Sequence, residues 1–190
     1  NMPHKLVSSF YKYIKIENSS EIQKNIADLC NSLGLKGRIL VGDEGINGSI
    51  CGDFNSIKKF QETINNNHLF SDIQFKDQPA DKQAFRKLVV RVRKEIVHFG
   101  IEVDLSKTAP FISPKELNEL IEKEDVVLLD ARNNYETRIR KFRNAITLNI
   151  RNFRDFPEKI KEIEHLKNKK IVAYCTGGIR CEKASAFLRE

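Results

Sequence analysis

The feature that most restricts the fold of this chain is a pair of short apolar runs, Val126-Val127-Leu128-Leu129 and Ile171-Val172-Ala173-Tyr174. Neither alternates with polar residues. A strand that is apolar on both faces must be covered on both, as inside a parallel α/β sheet. The surrounding helix signals agree. Ser113-Pro114-Lys115-Glu116 supplies an N-cap serine, a proline at the first helical position and a capping-box glutamate. Residues 157–166 read as a helix, and another is expected from the segment after Gly178 to Glu190. Strand and helix alternate, which predicts a parallel sheet over residues 113–190.

The first half has a different rhythm. Residues 6–16 mix β-branched and aromatic side chains and read as a strand. Ser19 or Ser20 can cap a helix in which Ile22, Ile26, Leu29, Cys30 and Leu33 recur at helical spacing, and Gly34 stops it. Arg38–Val41 and Asn47–Cys51 are short strands joined by turn-rich residues 42–46. Asn47-Gly48 is a strong turn signal, so Gly45-Ile46-Asn47-Gly48 is placed in a hairpin-like turn, with a part in RNA contact as the other reading. Phe54, Ile57, Phe60 and Ile64 suggest a second helix, and Ile73–Asp77 and Leu88–Val97 two more strands. The order β-α-β-β-α-β predicts a ferredoxin-like α+β sandwich. The expected organisation is α/β, with that sandwich over residues 1–100, a linker over 101–112, and the parallel domain over 113–190.

Lys and Arg number 33 against 26 acidic residues, a net charge of +7 in 190 residues. That balance suits a polyanionic partner without demanding one. The best basic stripe is Arg86, Lys87, Arg91, Arg93 and Lys94. On a strand, Arg91 and Arg93 would share a face. The stripe could track phosphates or be an ordinary solvated sheet face. Phe85 and Phe99 nearby could stack on bases or belong to the core. No apolar run approaches the ~18 residues that cross a bilayer, so no membrane association is expected. The opening Asn1-Met2-Pro3-His4-Lys5 has no leader-type apolar segment behind it. Cys30, Cys51, Cys175 and Cys181 form no CxxC pair, so reduced thiols in a cytoplasmic protein are expected, with no metal. His4, His68, His98 and His165 are scattered and carry no assigned chemistry.

The second apolar run leads directly into Cys175-Thr176-Gly177-Gly178-Ile179-Arg180 and then a helix. A thiolate is the nucleophilic form of cysteine, and it needs a lowered pKa. A loop curling into a helix N-terminus aims backbone N–H groups and the helix dipole at one spot. Gly177 and Gly178 let the backbone curl, and Arg180 adds a positive charge. Asp130 and Arg132 end the other apolar strand, on the side where active sites of parallel sheets converge. They read equally as electrostatic support for the cysteine loop or as a local ion pair.

Four residues separate Cys175 from Arg180, as in sulfur-transferring rhodanese loops; tyrosine-phosphatase-type loops have five. Residues 113–190 resemble a rhodanese domain. The longer string Tyr174–Ala186 is similar to the rhodanese-containing tRNA uridine hydroxylase family. So are Gly37–Gly48, Leu88–Val97, Asp130–Glu136 and Phe153–Pro157. The resemblance implies an acylphosphatase-like, tRNA-binding N-terminal domain and oxygen-dependent hydroxylation of wobble uridine at C5. It implies molecular oxygen as co-substrate without a redox cofactor, and Cys175 as the required thiol, closed in by Arg180. Cys181 belongs to the same motif, as a resolving thiol or as a small residue in the first helical turn. The alternative activity is a sulfurtransferase carrying a persulfide on Cys175. The family pattern has glycines at the positions of Arg140 and Asn144, around Phe142, so this loop is expected to be bulkier and more charged. The chain stops at Glu190, where the family continues with another strand, a helix and a cysteine-rich tail. A C-terminally shortened rhodanese domain is therefore expected.

Overall fold

The computed structural model describes residues 4–190. The opening residues 1–3 lie outside the described residues. The chain divides into two compact units, Asn1–Ile96 and Val97–Glu190.

In the first unit the elements are β1 (Lys5–Tyr13), α1 (Ser19–Ser32), β2 (Lys36–Gly42), β3 (Gly45–Asp53), α2 (Phe54–Asn65), β4 (Lys76–Ala80) and β5 (Leu88–Val92). The sheet order is β4-β1-β3-β2-β5. The first four strands pair antiparallel, and β5 adds to the edge parallel to β2. This is the expected ferredoxin-like sandwich with one extra strand. Alternation on each strand decides which face is covered. Leu6 and Phe10 of β1, Ile39 and Val41 of β2, and Ile46 and Ile50 of β3 are buried with Ile22, Ile26 and Cys30 of α1 and Ile57, Phe60 and Ile64 of α2. Both helices therefore lie on one face.

Three sequence expectations shift here. The strand expected over 88–97 ends at Val92, and Arg93 and Lys94 follow it. The strand expected at 73–77 runs Lys76–Ala80 instead, because Ile73 turns inward and is buried. Asn47-Gly48 is not a turn. The β2–β3 turn is Asp43-Glu44, and Gly48 sits within β3. A Cβ there would lie 2.7 Å from Phe10 and 2.9 Å from Ile39, so glycine serves close packing. Asn47 Nδ2 donates to Ile96 O at 2.8 Å.

In the second unit the elements are α3 (Pro114–Lys123), β6 (Val126–Asp130), α4 (Asn134–Thr137), β7 (Ile146–Thr147), α5 (Phe156–Lys159), β8 (Lys170–Tyr174) and α6 (Ile179–Leu188). The sheet order is β7-β6-β8, all parallel. Ser113 makes the expected capping box with Glu116 ahead of α3. The expected helix over 157–166 is one α-turn that tightens into a 3-10 segment over Ile160–Leu166. The core is aromatic. Phe99 is fully buried, with ring centroids 4.8 Å from Phe153, 5.9 Å from Phe156 and 5.7 Å from Phe187. Phe99 is thus a core residue and unavailable to stack on bases. Residues 101–112, expected as a linker, are strapped to α6. Thr108 Oγ1 donates to Glu182 O at 3.2 Å, Ala109 N donates to Ser185 Oγ at 3.0 Å, and Arg189 donates to the carbonyls of Lys107 and Thr108 at 3.1 Å.

No helix among the described residues is long and apolar enough to cross a membrane.

Candidate active site

β8 carries Cys175 to the carboxyl end of the parallel sheet. The chain then turns through Gly177 at φ +88° and Gly178 at φ +93°, the N-cap of α6. A Cβ on Gly177 would meet nothing within 4 Å, so that position needs glycine for its backbone conformation and not for space.

The sulfur of Cys175 is held by donors from the first turn of α6. The Cys181 thiol hydrogen-bonds to it, the backbone N–H groups of Cys181 and Arg180 point to it, and the Arg180 charge lies close by. Burial opposes ionisation, but the donors prevail, and the Cys175 pKa falls to about 6. Cys181 moves the other way. Its proton is shared with the Cys175 sulfur and its site is buried, so its thiol stays protonated. Cys175 is thus the thiolate of the pair and Cys181 its donor.

Arg180 is oriented by a residue that sequence reasoning did not single out. Its Nη1 donates to Glu136 Oε2 at 2.6 Å and its Nη2 to Glu136 Oε1 at 2.8 Å. Thr176 Oγ1 donates to the same carboxylate at 2.9 Å, as does the Asn133 backbone N–H at 3.1 Å. Burial alone would raise the Glu136 pKa; the Arg180 fork and the other donors bring it down to about 2. Glu136 therefore ties α4 to both ends of the cysteine loop. Asn133-Asn134-Tyr135-Glu136 has capping-box spacing, of which the Glu136 half forms through the Asn133 N–H, while Asn133 Oδ1 is buried without a partner; that spacing marks a helix start and not the contact with Arg180.

Asp130 and Arg132 form a second brace. Arg132 Nε donates to Asp130 Oδ1 at 2.9 Å and Arg132 Nη2 to Oδ2 at 2.8 Å. The Tyr174 hydroxyl, from the residue before Cys175, donates to Asp130 Oδ2 at 2.7 Å. Asp130 is 1% exposed, yet these donors hold its pKa below the usual carboxylate value against the effect of burial. The pair is local, and through Tyr174 it also supports the strand that delivers the thiolate.

The 140s loop closes one side. Arg132 Nη2 donates to Arg140 O, the Phe142 N–H donates to the Tyr174 hydroxyl at 3.2 Å, and the Phe142 ring meets the Tyr174 ring edge-on at 4.9 Å. Asn144 sits at φ +63°, and asparagine is among the residues that best tolerate that region. A cleft of about 190 Å³ opens beside Cys175 and Thr176, walled by Tyr174 and Phe142 and rimmed by Arg132, Arg140 and Lys141.

The loop residues Thr176, Gly177, Gly178, Ile179 and Arg180, with Asp130, Arg132 and Cys181, thus gather around Cys175 within one unit. Of the basic stripe, Arg86 precedes β5, Arg91 lies within it, and Arg93 and Lys94 follow it; all four are exposed. Among the described residues no group of His, Cys, Asp or Glu is arranged to hold a metal ion.

Residues 6–96 match the family described as UPF0176 acylphosphatase like domain, and residues 113–190 match the rhodanese-like domain family. A Streptococcus suis (strain 05ZYH33) protein named tRNA uridine(34) hydroxylase is 45% identical across 94% of this chain and 58% of its own length. A Streptococcus pyogenes serotype M12 (strain MGAS2096) protein of the same name is 43% identical across 94% and 57%. The chain thus spans a little over half the length of these curated relatives. Among solved structures, an acylphosphatase from Coxiella burnetii aligns with 47% of this chain and 94% of its own, at 13% identity and a TM-score of 0.36. The chain therefore consists of a UPF0176 acylphosphatase-like domain followed by a rhodanese-like domain, and is homologous to proteins named tRNA uridine(34) hydroxylase.

Proposed function

We propose that this protein hydroxylates the wobble uridine of tRNA at C5 in the cytoplasm, with molecular oxygen as co-substrate, no resident redox cofactor, and Cys175 working on the base. The observation that carries the reading is a thiolate with pKa about 6 opening onto an aromatic-walled, cation-rimmed cleft. The relatives' name supplies the substrate. The cleft suits an extruded pyrimidine. Phe142, 54% exposed, offers a ring face to a base, and Arg140 and Lys141 can take the flanking phosphates.

In this reading the Cys175 thiolate adds to C6 of uracil, which makes C5 electron-rich toward oxygen. Loss of the C5 proton and departure of the sulfur restore the C5–C6 double bond. Uridine, oxygen, two electrons and two protons give 5-hydroxyuridine and water. Oxygen adds at C5 as a hydroperoxide; the freed Cys175 thiolate takes its outer oxygen as a sulfenate, and Cys181 condenses with the sulfenate to a disulfide and water, so the thiol pair supplies the two electrons of one turnover. Replacing Cys175 by Ala tests the assignment: 5-hydroxyuridine in tRNA, measured by mass spectrometry, is expected to disappear. Unchanged modification would refute it.

The four-residue spacing and the N–H cradle favour a second activity, a sulfurtransferase. Cys175 would attack the outer sulfur of thiosulfate, release sulfite, and pass the persulfide sulfur to an acceptor. Sustained thiocyanate production from thiosulfate and cyanide would support it.

A further inference from the structure

The first unit carries its helices on one face of the sheet, and charge is distributed unevenly between the helix layer and the other face. The α1 and α2 helices hold Lys24, Lys58 and Lys59 against Glu21, Asp28 and Glu62, a neutral set. Strand register puts Lys5, Lys36, Arg38, Lys76 and Arg91 on the opposite face. The one carboxylate that these strands place there is Asp53, paired with Lys5 at 2.7 Å. One row crosses the whole sheet in register: Lys76, Ser9, Ser49, Arg38 and Val89. Three strand spacings, about 14 Å, separate Lys76 from Arg38. Between them the floor is small and polar, with Ser9 Oγ and Ser49 Oγ 2.9 Å apart. In the next row Leu40 pairs with Arg91, which sets Arg91 diagonally beside Arg38. Lys36, Arg38, Lys76 and Arg91 are all exposed.

A cationic track over a hydroxyl floor is complementary to a phosphodiester backbone, and a sheet face accepts an unpaired strand better than a duplex. We propose that this sheet face binds the RNA substrate, with Arg38 and Arg91 as its principal phosphate contacts. The inference rests on the tRNA reading above and adds Lys36, Arg38 and Lys76 to the stripe seen in the sequence.

The test uses the 190-residue chain, a fluorescein-labelled tRNA anticodon arm and anisotropy over a range of salt. Arg38→Ser/Arg91→Ser is expected to weaken binding about tenfold or more at low salt. It is also expected to reduce the slope of log affinity against log salt by about 1 to 2. Lys24→Ser/Lys59→Ser, on the helix layer, should bind as wild type. Circular dichroism confirms that each variant is folded. Wild-type affinity and slope in Arg38→Ser/Arg91→Ser would overturn the proposal, as would failure of the wild-type chain to bind the RNA. A parallel measurement of 5-hydroxyuridine in tRNA, from cells carrying each variant as sole copy, separates the two readings. Wild-type modification together with an unaffected Arg38→Ser/Arg91→Ser variant sinks the sheet-face proposal and leaves the hydroxylase. Loss of binding through this face, with no modification by the wild type, upholds the face and sinks the hydroxylase.

Discussion

Replacing Cys181 by Ala probes how the fold makes Cys175 reactive. The substitution removes the thiol that hydrogen-bonds to the Cys175 sulfur and leaves the backbone N–H groups and Arg180 in place. Alanine is a better helix former than cysteine, so α6 should not be weakened. With a pKa of about 6, Cys175 is about nine-tenths thiolate at pH 7. A hydrogen bond to a charged group contributes about 1.5–3 kcal/mol, which is about one to two pKa units. The variant's pKa should therefore lie at about 7–8. Its thiolate fraction at pH 7 drops to between about one half and one tenth. The assay is the second-order rate of iodoacetamide alkylation of Cys175 across pH 4–10, with the modified residue identified by peptide mass spectrometry. The rate at pH 7, normalised to the alkaline plateau, should fall about two- to tenfold. The plateau normalisation matters, because a thiolate of higher pKa is intrinsically the better nucleophile. A variant midpoint still at about 6 would refute the argument and assign the lowered pKa to the backbone donors and Arg180 alone.

Two further outcomes follow from the packing. Glu136 has a folded pKa of about 2, below its unfolded value of about 4.3, so its contribution to stability is complete above about pH 4.3 and is lost as pH falls toward 2. Glu136→Gln should lower the melting temperature at pH 7 and flatten its decline between those pH values, read by near-ultraviolet circular dichroism. Phe99→Ala empties a fully buried site among three aromatic rings and should cost about 3–5 kcal/mol in thermal or urea unfolding, with little change in Cys175 alkylation.

The sequence by itself determined what depends on local pattern. Unbroken apolar runs are of parallel-strand type, and Val126–Asp130 and Ile171–Tyr174 are parallel strands; the expected burial on both faces is reached only at Leu129 and Asp130, while Ile171–Tyr174 stay half-buried. Cys175 followed at the end of the second run because a strand, two glycines and a helix start leave the backbone few alternatives. The alternating and helical periods of residues 5–80 were enough for a ferredoxin-like sandwich. What they could not convey was pairing over distance. Asn47-Gly48 has a turn's local preference, but the space that Phe10 and Ile39 occupy draws it into β3. Leu88–Val97 looks like one long strand, yet its ladder to β2 ends at Val92. Phe99 lies beside a basic stripe in sequence and inside an aromatic core in space.

The active site shows the same division. Cys175, Arg180, Asp130 and Arg132 were legible because each stands at the end of a recognisable element. Glu136 was not, since its importance comes from meeting Arg180 across 44 residues of chain. The donor that most lowers the Cys175 pKa, Cys181, was visible only as one of two possible roles. A side chain's identity and local spacing are properties of the sequence. A pKa depends on which charges and donors the tertiary structure places around the group, and how much water it excludes, and only the fold decides that.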